Sequence, residues 1–171
     1  MDEMEIRVLD ESDAASWWRL RLESLSSEPF AFGKAVEEHE LTTVETTARR
    51  FREAPEGSFH LGAFDGANLV GMATFIRDAG MKERHKGRIF GVYVTSARRG
   101  EGIGRALVAA LVEKAKQDPS LEQILLAVAT CQNAAKQLYQ DLGFQTYGTE
   151  PNALKVGATY IDEHQMVLRI Q

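Results

Sequence analysis

The chain has 171 residues, 44% of them hydrophobic and 26% charged, with a net charge of −5. That length and composition suit one globular domain spanning 1–171 with a real core. The acidic balance excludes broad nucleic-acid binding, which needs a basic face.

Glu5 to Leu9 reads as a short first strand. Trp18, Leu22 and Leu25 fall at helical spacing, which predicts a helix from about Asp13 to Ser26. Ser27 to Leu41, broken by Pro29 and Gly33, is expected to be irregular. Thr42-Thr43-Val44-Glu45 resembles a capping box that opens a second helix ending before Pro55. Ser58 to Phe64 and Leu69 to Arg77 alternate as strands, with Asp65-Gly66-Ala67-Asn68 as the hairpin turn. Asp78 to Lys86 is a charged loop.

Ile89 to Val94 is then a strand and Gly102 to Lys116 a helix, with Ile103, Leu107 and Leu111 on one face. Glu122 to Ala129 is the next strand, and its short crossover implies parallel pairing inside a covered sheet. Asn133 to Leu142 is a helix. Phe144 to Gly148 and Thr159 to Ile170 close the chain as strands. The order predicts a mixed α+β domain.

Metal and disulfide chemistry have little to work with. Cys131 is the single cysteine, so no intrachain disulfide and no multi-cysteine zinc centre is expected. His39, His60, His85 and His164 lie far apart without metalloprotease spacing, so no metal is expected. The acidic start Met1-Asp2-Glu3-Met4-Glu5 lacks the basic-then-apolar pattern of a secretory signal. No apolar run is long enough to span a bilayer. The expectation is a cytoplasmic protein with no membrane or nucleic-acid partner.

The informative stretch is Val92-Tyr93-Val94-Thr95-Ser96-Ala97-Arg98-Arg99-Gly100-Glu101-Gly102-Ile103-Gly104-Arg105. A buried strand leads through a basic turn and three alternate glycines into a helix. Glycines let the backbone approach a bulky group and leave amide N–H groups uncovered. The helix start adds partial positive charge, and Arg98, Arg99 and Arg105 add full charges. A lone glycine turn often does no more than stop a strand; three glycines among arginines point to a phosphate site. A mononucleotide loop needs a Lys-Ser/Thr pair after its last glycine, and Arg105-Ala106 stands there. A dinucleotide fold needs G-x-G-x-x-G and an acidic residue ending the next strand, and the spacing differs.

Arg99-Gly100-Glu101-Gly102-Ile103-Gly104 resembles the Arg/Gln-x-x-Gly-x-Gly/Ala signature of the GNAT superfamily of N-acetyltransferases. Asn133-Ala134-Ala135-Lys136-Gln137-Leu138-Tyr139-Gln140-Asp141-Leu142-Gly143-Phe144 is similar to that family's second cofactor segment, with the alanine at 134 or 135. The element order agrees from about Met4 to Ile170. The resemblance implies a twisted, mostly antiparallel sheet with a central splayed parallel pair, flanked by helices. It implies acetyl-CoA as co-substrate, with its pyrophosphate on amides of Arg99 to Gly104 and its pantetheine arm beside Val92 and Val94. Asn133 would bond the arm or nearby backbone, and Tyr139 would point at the thioester sulfur. The implied cofactor positions are Val92, Tyr93, Val94, Arg99, Gly100, Glu101, Gly102, Ile103, Gly104, Arg105, Asn133, Lys136 and Tyr139.

Acetyl transfer to an amine needs a neutral amine, a polarised carbonyl and a proton for the departing thiolate. An alkyl amine with a pKa of about 10 is neutral in roughly one part per thousand at pH 7, so a general base helps. A strand amide can serve the carbonyl oxygen, and holding the reactants together supplies much of the rest. Tyr139 is the candidate acid. The family often places a glutamate on the strand before the glycine loop, and Arg88 to Val94 contains no carboxylate. Tyr93, His85, His164 and Glu38 are therefore alternatives for the base, beside a water relay. Cys131, without a His/Asp set, is expected to be passive.

The acceptor is open among small amines, peptide N-termini, lysine, antibiotics and polyamines, because loops set that side. Strand alternation puts Tyr160, Asp162 and His164 on the face of Met166 and Leu168, expected to look toward the acceptor. With Glu37, Glu38 and His85 they form the candidate acceptor wall. Its carboxylates lead us to expect a cationic primary amine, with carboxylates disfavoured near the reacting nitrogen. A sheet edge near Thr159 to Ile170 is a candidate homodimer surface. Two other functions fit the sequence: an acyl-CoA sensor without turnover, and an interaction domain with no cofactor.

Overall fold

The computed structural model describes residues 4–170; Met1 to Glu3 of the acidic start lie outside them. Strand β1 (Glu5–Val8) pairs antiparallel with β2 (Phe59–Asp65), which turns through two residues into β3 (Asn68–Arg77). Strand β4 (Lys86–Val94) follows antiparallel, starting earlier than alternation predicts because Lys86 and Gly87 extend the ladder against β3 and β5. Strand β5 (Gln123–Ala129) runs parallel to β4, and a terminal hairpin, β6 (Gln145–Val156) and β7 (Thr159–Arg169), completes the sheet. The seven-stranded order is β1-β2-β3-β4-β5-β7-β6, with β4/β5 as the parallel pair.

Two expectations about the last strands need correction. Residues 149–156 belong to β6, where Leu154, Lys155 and Val156 pair with β7 beyond an irregularity marked by Asn152 at positive φ. Strand β7 is interior, flanked by β5 and β6, so residues 159–169 offer no free edge for a homodimer. The edges are β1 and β6.

Helix α1 (Ala14–Ser27) follows a turn fixed by Asp10 and Asp13. Asp10 accepts from the Ser12 amide at 2.8 Å, and Asp13 accepts from the Asp10 amide at 2.9 Å while pairing with Arg7. The segment expected to be irregular contains a short helix, α2 (Val36–Glu40). Buried His39 anchors it: the ring stacks on Trp18 at 4.8 Å, and Nε2 lies 3.0 Å from the Trp18 carbonyl oxygen. Helix α3 (Val44–Arg52) is capped by Thr43, one residue after the position read from sequence. The Thr43 hydroxyl accepts from the Thr46 amide at 3.0 Å, while the Thr42 amide closes the preceding turn onto His39.

Helix α4 (Ile103–Ala115) lays Leu107, Val108 and Leu111, all fully buried, on the sheet face carrying Leu61, Ala73, Phe75 and Ile124. Helix α5 (Asn133–Asp141) adds Tyr139 to the same layer. Truncating one such leucine to alanine costs about 2–5 kcal/mol. Leu20 of α1 packs instead with Met72 and Tyr93, so α1 covers the opposite face. The sheet is thus sandwiched, and a ligand can reach it only where strands part.

Candidate active site

The strands part between β4 and β5. Their ladder runs only from Lys86–Gln123 to Arg88–Leu125, so from Ile89 onward β4 has no partner on that side. A bulge strengthens the divergence: between the Thr74–Phe90 and Met72–Tyr93 pairs, two residues of β4, Gly91 and Val92, stand against one of β3, Ala73. Gly91 sits in it at φ 59°, a conformation that disfavours any side chain. The opening is a cleft of about 620 Å³, lined by β4, the glycine loop, the first turns of α4 and α5, and parts of α1, β5 and β7.

At one end the cleft meets the glycine loop. Gly100 and Gly102 stand at φ 79° and 80°, with nothing within 4 Å of a built Cβ. Gly102 is the N-cap of α4 and supplies no side-chain cap, so the first helical amides keep their capacity to donate. An anion at this position gains both those donors and the helix dipole.

The arginines are less available than the sequence suggests. Arg99 donates to Glu28 at 2.8 Å and to the Val94 carbonyl at 3.2 Å. Arg98 is held by Glu101 and Asp65, Arg105 lies 3.6 Å from Asp141, and Arg88 lies 3.6 Å from Asp78. These charges are largely neutralised, which leaves the backbone as the principal anion-binding element.

Of the positions expected to hold a cofactor, Val92, Tyr93, Val94, Arg99, Gly100, Gly102, Ile103, Gly104, Arg105 and Tyr139 line the cleft. Three do not. Glu101 turns to Arg98; Lys136 reaches His164 Nε2 at 3.4 Å; Asn133 is exposed beside the lining residues Gln132 and Ala134.

Two tyrosines also line the cleft, Tyr139 and Tyr93. Tyr139 is 8% exposed, packs edge-on against Phe144, and makes no hydrogen bond through its hydroxyl among the described residues. Burial raises its pKa above the ordinary phenol value, so the proton stays on oxygen. Tyr93 donates to Glu23 at 3.0 Å and contacts Ser27 at 3.1 Å, which removes it as a free base.

The acceptor wall read from sequence is not assembled. Asp162 accepts from the Asn152 amide at 2.7 Å, where it fastens the β6 irregularity. His164 meets Thr149 at 3.0 Å and Lys136, and Tyr160 lies under Lys155. Glu38 accepts from the Ala35 amide at the start of α2. None of these lines the cleft, nor do Glu37 or His85. The reason is facial. Met166 packs in the α4/α5 layer, so Asp162 and His164 share that face. Glu163 and Gln165, on the other face of β7, line the cleft instead. Burial, followed by neighbouring Glu150, raises the Glu163 pKa above the ordinary carboxylate value. Alternation around Met166 and Leu168 was the available signal for Glu163. Arg21 of α1 was missed with no comparable signal.

Residues 17–144 match the Acetyltransferase (GNAT) family. The chain belongs to the GNAT family. A GNAT-family acetyltransferase from Streptococcus pneumoniae superposes with a TM-score of 0.90 at 24% identity, covering 98% of this chain and 100% of that one. yncA from Salmonella typhimurium, described with its cofactor acetyl-CoA, superposes with a TM-score of 0.85 at 19% identity, covering 98% and 94%. Both share the fold. N-acetyltransferase family 8 member 2 from Rattus norvegicus is 34% identical over 96 residues, which span 54% of this GNAT chain and about two fifths (40%) of that protein. Among the described residues no group of three or more His, Cys, Asp or Glu is arranged to hold a metal ion. No helix there is long and apolar enough to cross a membrane.

Proposed function

We propose that residues 1–171 form one N-acetyltransferase unit that transfers an acetyl group from acetyl-CoA to a primary amine of a small molecule or peptide. The observation that carries this is the single cleft between β4 and β5. An uncapped helix N-terminus, Tyr139 and Glu163 all line it. Acetyl-CoA supplies the acetyl group as a thioester.

The residues present fit that ligand. Amides of Gly102 to Arg105 hold the phosphates, and Gly100 and Gly102 leave the approach clear. The unpaired side of β4 at Val92 and Val94 accepts an amide-bearing arm as an added strand. Asn133, exposed beside the cleft at the first turn of α5, would bond the arm or nearby backbone.

Glu163 is the base. Glu28 is the other carboxylate lining the cleft, and it is engaged by Arg99. Among the described residues the Glu163 carboxylate has no hydrogen bond or ion pair. It takes the proton of the attacking amine, and its raised pKa makes it a stronger base than an ordinary carboxylate. The Tyr139 hydroxyl donates to the departing sulfur; because its pKa exceeds that of a thiol, it mainly stabilises the developing charge. The two groups come from opposite sheet faces and both line the opening where the strands part.

Release of free thiol from acetyl-CoA in the presence of an amine panel tests this reading. Tight acetyl-CoA binding with no thiol release from any amine would favour the sensor alternative. No thermal stabilisation by CoA would leave only an interaction domain.

A further inference from the structure

Five arginines line the cleft, and four of them have carboxylate partners: Arg88, Arg98, Arg99 and Arg105. Arg21 does not. Its Nη1 is buried with no hydrogen-bond partner, and its guanidinium forms no ion pair among the described residues. It lies 4.8 Å over the Phe32 ring and against the β4 bulge, where a Cβ added at Gly91 would come within 3.3 Å of Nη1.

The surroundings supply no counter-charge. Lys34 and His39 are the charged or titratable neighbours that register its field, and neither is acidic. Burial lowers the Arg21 pKa to about 10, so it remains a cation at neutral pH. A desolvated guanidinium is a fork of donors suited to a planar or tetrahedral anion.

Its position separates it from the phosphate site. Arg21 projects from α1, which covers one sheet face, while the glycine loop opens α4 on the other. Glu163 lies on the α1 side too, opposite in register to Met166 of the α4/α5 layer. Arg21 and Glu163 both line the cleft, so an acceptor entering from this side has a free cation and a base among its walls.

We infer that the acceptor is a compact amine bearing its own anionic group, an amino acid or amino phosphonate, whose anion seats on Arg21 while its nitrogen faces Glu163. This rests on the acetyltransfer reading above and replaces the expectation of a purely cationic amine. That expectation depended on Asp162, Glu37 and Glu38, which lie outside the cleft. Polyamines and peptide N-termini, which lack an adjacent anion, become poor acceptors.

The test uses matched amines. Each of a set of α-amino acids is assayed with acetyl-CoA beside its primary amide, its decarboxylated amine and its phosphonate analogue. Because loss of a group that a buried site must pair is heavily discriminated, an acid-bearing member should exceed its amide and amine in kcat/KM by at least about 100-fold. The carboxylate and phosphonate arms decide which anion is preferred.

In Arg21→Gln the acceptor KM should rise about 100-fold and the preference vanish, with the acetyl-CoA KM changed less than about two-fold. Arg21→Lys, which keeps charge without the fork, should recover part of it. The melting temperature of Arg21→Gln should fall little, because the contact over Phe32 is lost but no hydrogen bond or ion pair is. Equal turnover of the amides or decarboxylated amines would overturn the inference, as would a preference that survives Arg21→Gln.

Absence of thiol release with every amine would count against acetyl transfer itself. The anion seat is then judged by calorimetric titration of the same acids into CoA-saturated protein. Binding abolished by Arg21→Gln supports it, and no binding of any acid overturns it.

Discussion

The two walls of the cleft handle charge in opposite ways. On the glycine-loop side every lining arginine is already tied to a carboxylate, and the free donors are neutral backbone amides. On the α1/β7 side Arg21 and Glu163 stand without partners. Backbone amides and a helix dipole are fixed by the fold and suit a ligand that never changes. Unpartnered side chains are costly to keep buried, so they mark where a ligand group or a proton is to be received. On the proposed function, the first wall would hold acetyl-CoA, and the second would choose the acceptor and move the proton.

Tyr139→Phe is the largest break, because it removes one hydroxyl from the junction of the walls and keeps the ring against Phe144. Turnover should fall about 10²–10⁴-fold with little change in acetyl-CoA affinity. Single-turnover rates measure it; an unchanged chemical step removes Tyr139 from the reaction. Gly104→Trp attacks the first wall alone. A built Cβ there already lies 3.5 Å from Leu138 and 3.7 Å from Val94, so an indole must fill the cleft. Desulfo-CoA affinity by calorimetry should drop at least about 100-fold, equivalent to about 2.8 kcal/mol.

The smallest effect sharpens the contrast between the two cleft carboxylates. Glu28→Gln breaks a part-exposed pair with Arg99. Such pairs contribute about 0–1 kcal/mol, so turnover and stability should change less than about five-fold. A loss in Glu28→Gln as large as that in Glu163→Gln would erase the distinction between paired and unpaired groups.

Much of this layout was legible in the residues. The hairpin at Asp65 to Asn68, the apolar face of α4 and the parallel crossover all come from local periodicity, and they stand as read. The glycine loop was legible because positive φ at Gly100 and Gly102 demands that residue type. The acceptor wall was not. Alternation says which β7 residues share a face, but a sheet covered on both sides gives no sign of which face a substrate meets. Asp162 was thus preferred to Glu163. Charge pairing was hidden for another reason: Glu28 and Arg99 lie far apart in sequence and meet only through α1 and β4. Arg21 carried no sign in the sequence, because its lack of a hydrogen-bond or ion-pair partner is a property of the packed structure alone.

The pH dependence of acceptor kcat/KM, in wild type and Glu163→Gln, tests the central division most directly. As pH falls below the raised Glu163 pKa, both the base and the amine are protonated, so log kcat/KM should fall with slope two. Above it, only the amine titrates and the slope should be one. Glu163→Gln should be slower by about 10²–10⁴-fold, show slope one throughout, and keep the wild-type KM for acetyl-CoA. If Glu163→Gln retains the wild-type rate and the slope-two limb, the proton is received elsewhere and the α1/β7 wall does not carry the chemistry assigned to it.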